Sequence, residues 1–334
     1  MRRIVRGTRP SGLESSAVAL PAGFRLRPPE PADAERVAEL ANAETIAALG
    51  FGDTTVEELL TDWSVPHEVD GPRAAVVEDA SGAVVAYLSL EADHPEHEVF
   101  GYAVLPLAPP PGLAAELLEE LERRAAWWRA QEGNAGAVLR LGALDAPAAW
   151  PAALEAAGYR RTRRFLLMRR ALDGAIEPPA WPDGVVLVPF ARTEARAVHE
   201  ALAEAFVDHW GPPFESFERW WHTVFEQPGM DFRAELILVA RAGDEIAGVL
   251  LAAARASESP DAGYVAELGV RRAHRRRGLG RALLLEAFRR FQALGRSEAL
   301  LHVDEASETD ATSVYRAAGM REERMYAAWQ RPDG

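Results

Sequence analysis

The sequence predicts a mixed α/β chain (α+β) that carries two copies of one fold, and three observations lead there. Short alternating apolar runs are interleaved with longer stretches of helical period. A Pro/Gly/Asp-rich stretch, DGAIEPPAWPDG at 173–184, separates two apolar halves. The pattern before that stretch recurs after it, which is the signature of an internal repeat.

The repeat can be followed element by element. Residues 1–21 hold basic residues without a continuous apolar core and read as a tail rather than a signal peptide. The first copy is expected over 22–172, the linker over 173–184 and the second copy over 185–332. Phe24-Arg25-Leu26-Arg27-Pro28 and the helical EPADAERVAELANA match Val185-Val186-Leu187-Val188-Pro189 and RTEARAVHEALAEAF. Ala74 to Asp79 and Val84 to Leu90 form a strand pair around Ser81-Gly82, as do Leu236 to Arg241 and Ile246 to Leu251 around Gly243-Asp244. The amphipathic helix of the first copy, Ala114 to Ala130, sets Leu117, Leu118 and Leu121 against Glu116, Glu119, Glu120 and Arg123, with Trp127 and Trp128 available to pack between the copies. Leu154 to Tyr159 matches Tyr315 to Met320.

The stretch Tyr264 to Phe291 carries the chemistry. An alternating run closing at Val270 is followed by a basic, glycine-containing turn and an amphipathic helix. The first free N–H groups of a helix and its dipole make such a turn an anion cradle. Gly278 and Gly280 let an anion approach the backbone, while Arg275, Arg276, Arg277 and Arg281 offer guanidinium groups to phosphate. Neither G-x-G-x-x-G nor G-x-x-x-x-G-K-[ST] is present, and the chain holds no lysine.

Arg275-Arg276-Arg277-Gly278-Leu279-Gly280 resembles the [QR]-x-x-G-x-[GA] signature of the GCN5-related N-acetyltransferases (GNAT), which hold the pyrophosphate of coenzyme A on consecutive backbone amides. The stretch Val303 to Met320 resembles the end of that family's fold, a strand followed by a helix with a tyrosine. The resemblance implies two tandem GNAT folds, each a mixed, mostly antiparallel sheet splayed at the cofactor cleft and flanked by helices. It implies acetyl-CoA as cosubstrate, held around Arg275 to Arg281. Tyr315 is then the acid that protonates the departing thiolate, and the backbone amides near Leu268 and Val270 polarise the thioester carbonyl. Ser307 stands where relatives often carry Asn to meet the pantetheine arm. Tandem copies also resemble mycothiol synthase-type enzymes, which acetylate a cysteinyl amine.

Between the copies the cradle differs. Five residues after Val104 the first copy reads Pro109-Pro110-Pro111-Gly112-Leu113-Ala114. Proline has no N–H, so Pro110 and Pro111 delete two donors, and no cationic side chain remains. At about 1.5–3 kcal/mol per hydrogen bond to a charged group, losing two weakens phosphate binding by at least two orders of magnitude. The first copy is expected to be degenerate, with Leu154 in place of the tyrosine. Catalysis falls to the second.

Glu267 is the carboxylate of the central strand, and alternation with Val265 and Gly269 places it on one face as a candidate base for an ammonium. Asp208, His209 and Trp210 follow the first helix of the second copy, where the family's acceptor site lies, and combine a carboxylate, an imidazole and an aromatic wall for an amine. Trp220, Trp221 and His222 read as a helix over that cleft.

Composition sets the remaining bounds. A net charge of −14 over 334 residues argues against general nucleic-acid binding. The absence of cysteine excludes disulfides and thiolate sites, and the eight His residues form no ligand pairs, so no metal is expected. No apolar run is long enough for a membrane span, and a cytoplasmic protein, monomer or homodimer, is expected. The expected partner is a small-molecule amine. A non-catalytic coenzyme A-binding sensor or assembly protein, a protein N-terminal acetyltransferase and a longer-chain acyltransferase stay as rivals.

Overall fold

The computed structural model describes residues 20–64, 71–91, 98–131, 137–210, 214–226, 231–306 and 311–332. The N-terminal half runs β1 (Arg25–Arg27), α1 (Ala34–Leu49), α2 (Val56–Ser64), β2 (Ala75–Glu78), β3 (Val84–Glu91), β4 (Glu98–Val104), α3 (Leu113–Gln131), β5 (Val138–Leu144), α4 (Ala149–Ala156) and β6 (Arg160–Ala171). The C-terminal half repeats that order as β7 (Val185–Val188), α5 (Ala195–Ala205), α6 (Phe217–Trp221), β8 (Phe232–Ala242), β9 (Glu245–Ala253), β10 (Ala262–Val270), α7 (Leu279–Ala293), β11 (Glu298–Asp304), α8 (Ala311–Ala317) and β12 (Arg321–Gln330). A single π turn over His222–Glu226 extends α6.

The twelve strands of the described residues lie in one sheet, in the order β1-β2-β3-β4-β5-β12-β6-β11-β10-β9-β8-β7. Every neighbouring pair is antiparallel except β4/β5 and β10/β11. The order contains an exchange. β12, the last strand of the chain, pairs with β5 of the N-terminal half, and β6 pairs with β11 of the C-terminal half from Glu298↔Ala171 to Asp304↔Phe165. β6 and β12 pair with each other at the centre. The halves are thus joined through the backbone ladder of the sheet.

Alternation along the strands gives the sheet two buried faces. Leu166, Met168, Leu301 and Val303 pack with α7 on one face. On the other, Leu167, Leu300 and Met325 pack with Tyr264, Tyr326 and with Leu49 and Phe51 at the end of α1. Ile237, Val239 and Ala266 meet α5 and α6 on that second face. The helix α7 forms because Leu279, Ala282, Leu283, Leu285, Phe288 and Phe291 recur at helical spacing and are buried.

Two expectations for α3 are corrected. Trp128 is fully buried in the N-terminal half's own core, with Trp127 against it and Arg73 stacked 4.5 Å from its ring, so neither tryptophan packs between the halves. Glu120 lies in the interior instead of on the polar face, because Arg123 and Arg124 reach it at i+3 and i+4, both at 2.6 Å.

Candidate active site

In the C-terminal half β10 and β11 pair only at Ala262↔Glu298, Gly263↔Ala299 and Tyr264↔Leu300, after which they diverge. The rest of β10 is left with an open edge. In the N-terminal half the corresponding strands stay paired through Tyr102↔Gly142, five pairs in all, so the cleft there is shorter.

The main chain at that open edge is aimed by the ladder on the other side. The Arg271 amide donates to the Ala247 carbonyl, 3.1 Å away. Hydrogen bonding alternates along an antiparallel strand, so Gly269 and Glu267 also bond to β9. The N–H groups of Leu268 and Val270 therefore point into the gap between β10 and β11. Two amides in one opening can hold a developing oxyanion.

A bulge at Val265/Glu267 interrupts the pairing of β10 with β9. It corrects the expected alternation. Val265 packs on the α7 face, Ala266 on the α5/α6 face, and Gly269 lies under Ala205 and Leu202 of α5. Ala266 and Glu267 thus share the α5/α6 face, and the extra residue is what turns Glu267 toward it. Burial, chiefly, and then the Glu215 carboxylate push the Glu267 carboxyl up to about 8, with Trp220 acting in the opposite sense. Trp220 Nε1 is near, yet neither it nor Glu267 Oε2 makes a well-formed hydrogen bond. A buried carboxyl with an unmade bond on the open face is a candidate proton acceptor.

The turn after β10 presents an array of free amides. Among the described residues none accepts from the N–H groups of Arg276, Arg277 or Gly278 through its main chain, and those of Leu279, Gly280 and Arg281 open α7, where no intrahelical acceptor exists. Arg276 and Gly278 are left-handed, at φ 59° and 85°. Successive amides in such a path form a concave anion nest. Gly278 is required for its conformation, since a Cβ there meets nothing within 4 Å, while Gly280 leaves ordinary space against Val314 at 3.6 Å.

The arginine side chains divide differently from expectation. Arg275 is spent internally: Nε bonds the Val270 carbonyl at 3.0 Å, Nη1 the Asp208 carboxylate at 3.0 Å and Nη2 the Ala205 carbonyl at 2.9 Å. Arg277 reaches the Asp183 carbonyl at 3.2 Å, and Arg281 bonds Glu177 and the Ala317 carbonyl. Among the described residues Arg276 has no partner and is exposed. In the N-terminal half Gly112 keeps the left-handed φ, at 85°. The prolines lack donors there, and the Leu113 amide is consumed by the Pro110 carbonyl at 3.1 Å.

Asp208, expected to face an amine, is held by Arg272 and Arg275, which keep its carboxyl below the usual range. It braces the turn. His209 is exposed. Trp210 lies against Phe165, with Arg140 and Arg163 stacked 4.2 and 5.1 Å from its ring, and so spans from the C-terminal half onto β5 and β6. Trp220 is fully buried over the α5/α6 face, and Ser216 caps its helix by accepting from the Arg219 amide. Tyr315 on α8 is 8% exposed, and burial pushes its phenol up to about 12. Ser307 lies outside the described residues.

Sequence reasoning passed over a second cluster on the same face. The Tyr264 hydroxyl lies 3.0 Å from His302 Nδ1, and His302 Nε2 lies 3.1 Å from the Glu258 carboxylate. Tyr326 donates to Asp53. These residues line a cavity of about 600 Å³ between the halves. Only the alternating position of Tyr264 and His302 on neighbouring strands hinted at it.

Residues 195–320 match the family model described as Acetyltransferase (GNAT) family. This stretch of the C-terminal half carries an acetyltransferase (GNAT) family domain. Enzymes of this family use acetyl-CoA, and the free amides of the C-terminal half lie within the matched region. The chain is 34% identical over 185 residues to a mycothiol acetyltransferase of Thermobispora bispora, an alignment that spans 52% of this chain and 59% of that one. It is 28% identical over 315 residues to a mycothiol acetyltransferase of Salinispora arenicola, spanning 92% and 95% of the two chains. Among solved structures, a GCN5-related N-acetyltransferase from Sphaerobacter thermophilus superposes with a TM-score of 0.72 at 29% identity, covering 94% of this chain and 98% of that one. A tandem GNAT protein from the clavulanic acid biosynthesis pathway superposes with a TM-score of 0.64 at 16% identity, covering 92% of this chain and 97% of that one, and shares the fold. Among the described residues no helix is long and apolar enough to cross a membrane.

Proposed function

We propose that the C-terminal half, residues 185–332, transfers the acetyl group of acetyl-CoA to a primary amine of a small molecule, and that the N-terminal half, 22–172, has lost the reaction. The observation that carries this reading is the pairing of an open β10 edge, with the Leu268 and Val270 amides aimed into it, and an unconsumed run of amides over 276–281.

In this scheme the amides of Arg276 to Arg281, with the Arg276 side chain, hold the pyrophosphate, while Arg275 positions the turn. The acceptor ammonium gives a proton to Glu267 or to water. Its nitrogen attacks the thioester carbonyl carbon, and the oxyanion forms at the Leu268 and Val270 amides. The C–S bond then breaks, the sulfur takes the proton of the Tyr315 hydroxyl, and the second proton on the new amide nitrogen is lost to water, from which the Tyr315 phenolate is reprotonated. Burial makes Tyr315 a weaker acid than a free phenol, but the same dry surroundings raise the proton affinity of the thiolate.

A second reading, acetylation of a cysteinyl amine as in mycothiol synthase-type enzymes, draws support from the names of the two relatives. The test common to both is a calorimetric titration with acetyl-CoA. One site per chain is expected, lost in Gly278→Pro, because proline cannot adopt a φ of 85°. Two sites would show a live cradle in the N-terminal half, and no binding would overturn the reading.

A further inference from the structure

The cavity between the halves lies on the sheet face that bears α5 and α6. It extends from Tyr87 and Tyr102 on β3 and β4, past Tyr326 on β12 and His302 on β11, to Tyr264 on β10. Tyr264 and Glu267 share that face of the same strand. Three residues of strand, roughly 10 Å, separate the end of the cavity from the proposed base.

Its lining is acidic, and Arg219 acts on Asp62 from outside that lining. Glu44, Asp53, Glu58 and Asp62 come from the N-terminal half and Glu258 from the C-terminal half, and among the described residues no arginine lines the space. Elsewhere in the chain arginine pairs are abundant, and Asp208 alone takes two. Here the support is neutral or titratable: Asp53 accepts from Tyr326 and Thr54, Glu58 from Ser257, and Glu258, with a side chain only 4% exposed, faces His302. Among the described residues Glu44 has no hydrogen-bond partner, and burial, then the Asp53 charge, push its carboxyl up to about 7. Burial likewise raises Asp53. Carboxylates held this way are stabilised by a cation that enters.

The shape of the site selects the kind of cation. Among the described residues no three acidic or histidine side chains converge as metal ligands. The carboxylates are spread over α1, the α1–α2 connection, α2 and the loop after β9, and Tyr87, Tyr102, Tyr264 and Trp150 line the walls between them. Aromatic walls with dispersed carboxylates suit an extended organic ammonium.

We infer that this chamber is the acceptor's binding site, and that the acceptor carries at least one cationic group besides the amine that is acetylated, as a polyamine or a multiply aminated sugar does. The inference rests on the proposed N-acetyltransferase reading. The reacting amine reaches Glu267 while the further ammonium lies among Glu44, Asp53 and Asp62. The N-terminal half then serves as the specificity wall of the enzyme.

The test compares spermidine and kanamycin with butylamine and glucosamine, which carry one ammonium each, both as acceptors and as ligands in the absence of acetyl-CoA. The multiply charged probes are expected to bind and to be acetylated with kcat/KM at least tenfold higher. Glu44→Gln and Asp62→Asn should each raise KM for the better of them several-fold while the acetyl-CoA affinity stays unchanged. Glu44 makes no bond that folding needs, so Glu44→Gln keeps the fold. Equal or better use of the singly charged amines, or variants without effect on KM, overturns the inference and leaves the acetyltransferase reading standing. Loss of acetyl-CoA binding overturns that reading instead, and polyamine binding by the chain alone still decides the chamber.

Discussion

Arg275 Nη1 lies 3.0 Å from the carboxylate of Asp208, and the same guanidinium bonds the last carbonyl of α5 and the last carbonyl of β10. One side chain thus fixes the start of the amide nest against the two elements that frame the acceptor face. Arg275→Ala removes all three bonds and is expected to weaken acetyl-CoA binding at least tenfold. Asp208→Asn weakens the contacts with Arg272 and Arg275 but leaves both carbonyl bonds of Arg275 in place, and should cost far less. Calorimetry on the two variants checks the ranking, and an Asp208→Asn loss as large as that of Arg275→Ala would place the aspartate in direct contact with a ligand.

Tyr315 is buried on α8 against the core that carries α7. Tyr315→Phe keeps the ring and removes only the proton. Turnover with a good acceptor is expected to fall by about 10²-fold, the usual scale of a lost general acid, with acetyl-CoA affinity unchanged. Full turnover in Tyr315→Phe would remove Tyr315 from the chemistry.

With Glu267 as the proposed base, the reaction is expected to show a pH limb. Its carboxyl is raised to about 8, so the ionised form needed to accept a proton grows in as pH rises through that value. The rate at saturating acceptor is expected to climb between pH 7 and 9, and Glu267→Gln should flatten the climb. Stability moves the other way. A carboxyl raised above its unfolded value is neutral and uncostly below about 4.5. From there to about 8 its preference for the neutral form is progressively lost as stability, as the unfolded chain ionises first. Glu267→Gln is therefore expected to be more stable than the parent at pH 8, on the order of 2 kcal/mol once water in the cleft is allowed for, and equal to it at pH 4. A thermal melt series across that range reads the difference.

Much of the C-terminal site is legible in the sequence because it is local. A strand, a glycine turn and a helix within Tyr264 to Phe291 determine where the free amides fall, and the three prolines at 109–111 mark the opposite case in the repeat. What the sequence hides is set by partners far along the chain or by irregularity. The bulge at Val265/Glu267 has no period of its own, so alternation misplaced Val265. Asp208 carries the same carboxylate whether it meets an amine or Arg275, and only the position of the turn decides. The chamber depends on contacts such as Tyr326 with Asp53 and Ser257 with Glu58, between residues 273 and 199 positions apart. Nor do β6 and β12 say which half they will join, since both are last strands of equivalent repeats.

That exchange makes the two halves one folding unit. In the intact chain β12 fills the place between β5 and β6, from Tyr326↔Leu144 to Trp329↔Leu141 on one side and Arg321↔Arg169 to Gln330↔Arg160 on the other. A chain ended after Met320 leaves both β5 and β6 with unpaired edges in the middle of the sheet, where exposed N–H and C=O groups invite aggregation. It also removes Tyr326 from Asp53 and opens the chamber. The truncated chain is expected to lose hydrogen-exchange protection over Val138–Leu144 in the N-terminal half, far in sequence from the deletion. Unchanged protection there would mean that β5 finds another partner and that the halves fold independently. Adding the missing segment, Arg321 to Gly334, as a separate peptide should restore the protection if the exchange is what supplies it.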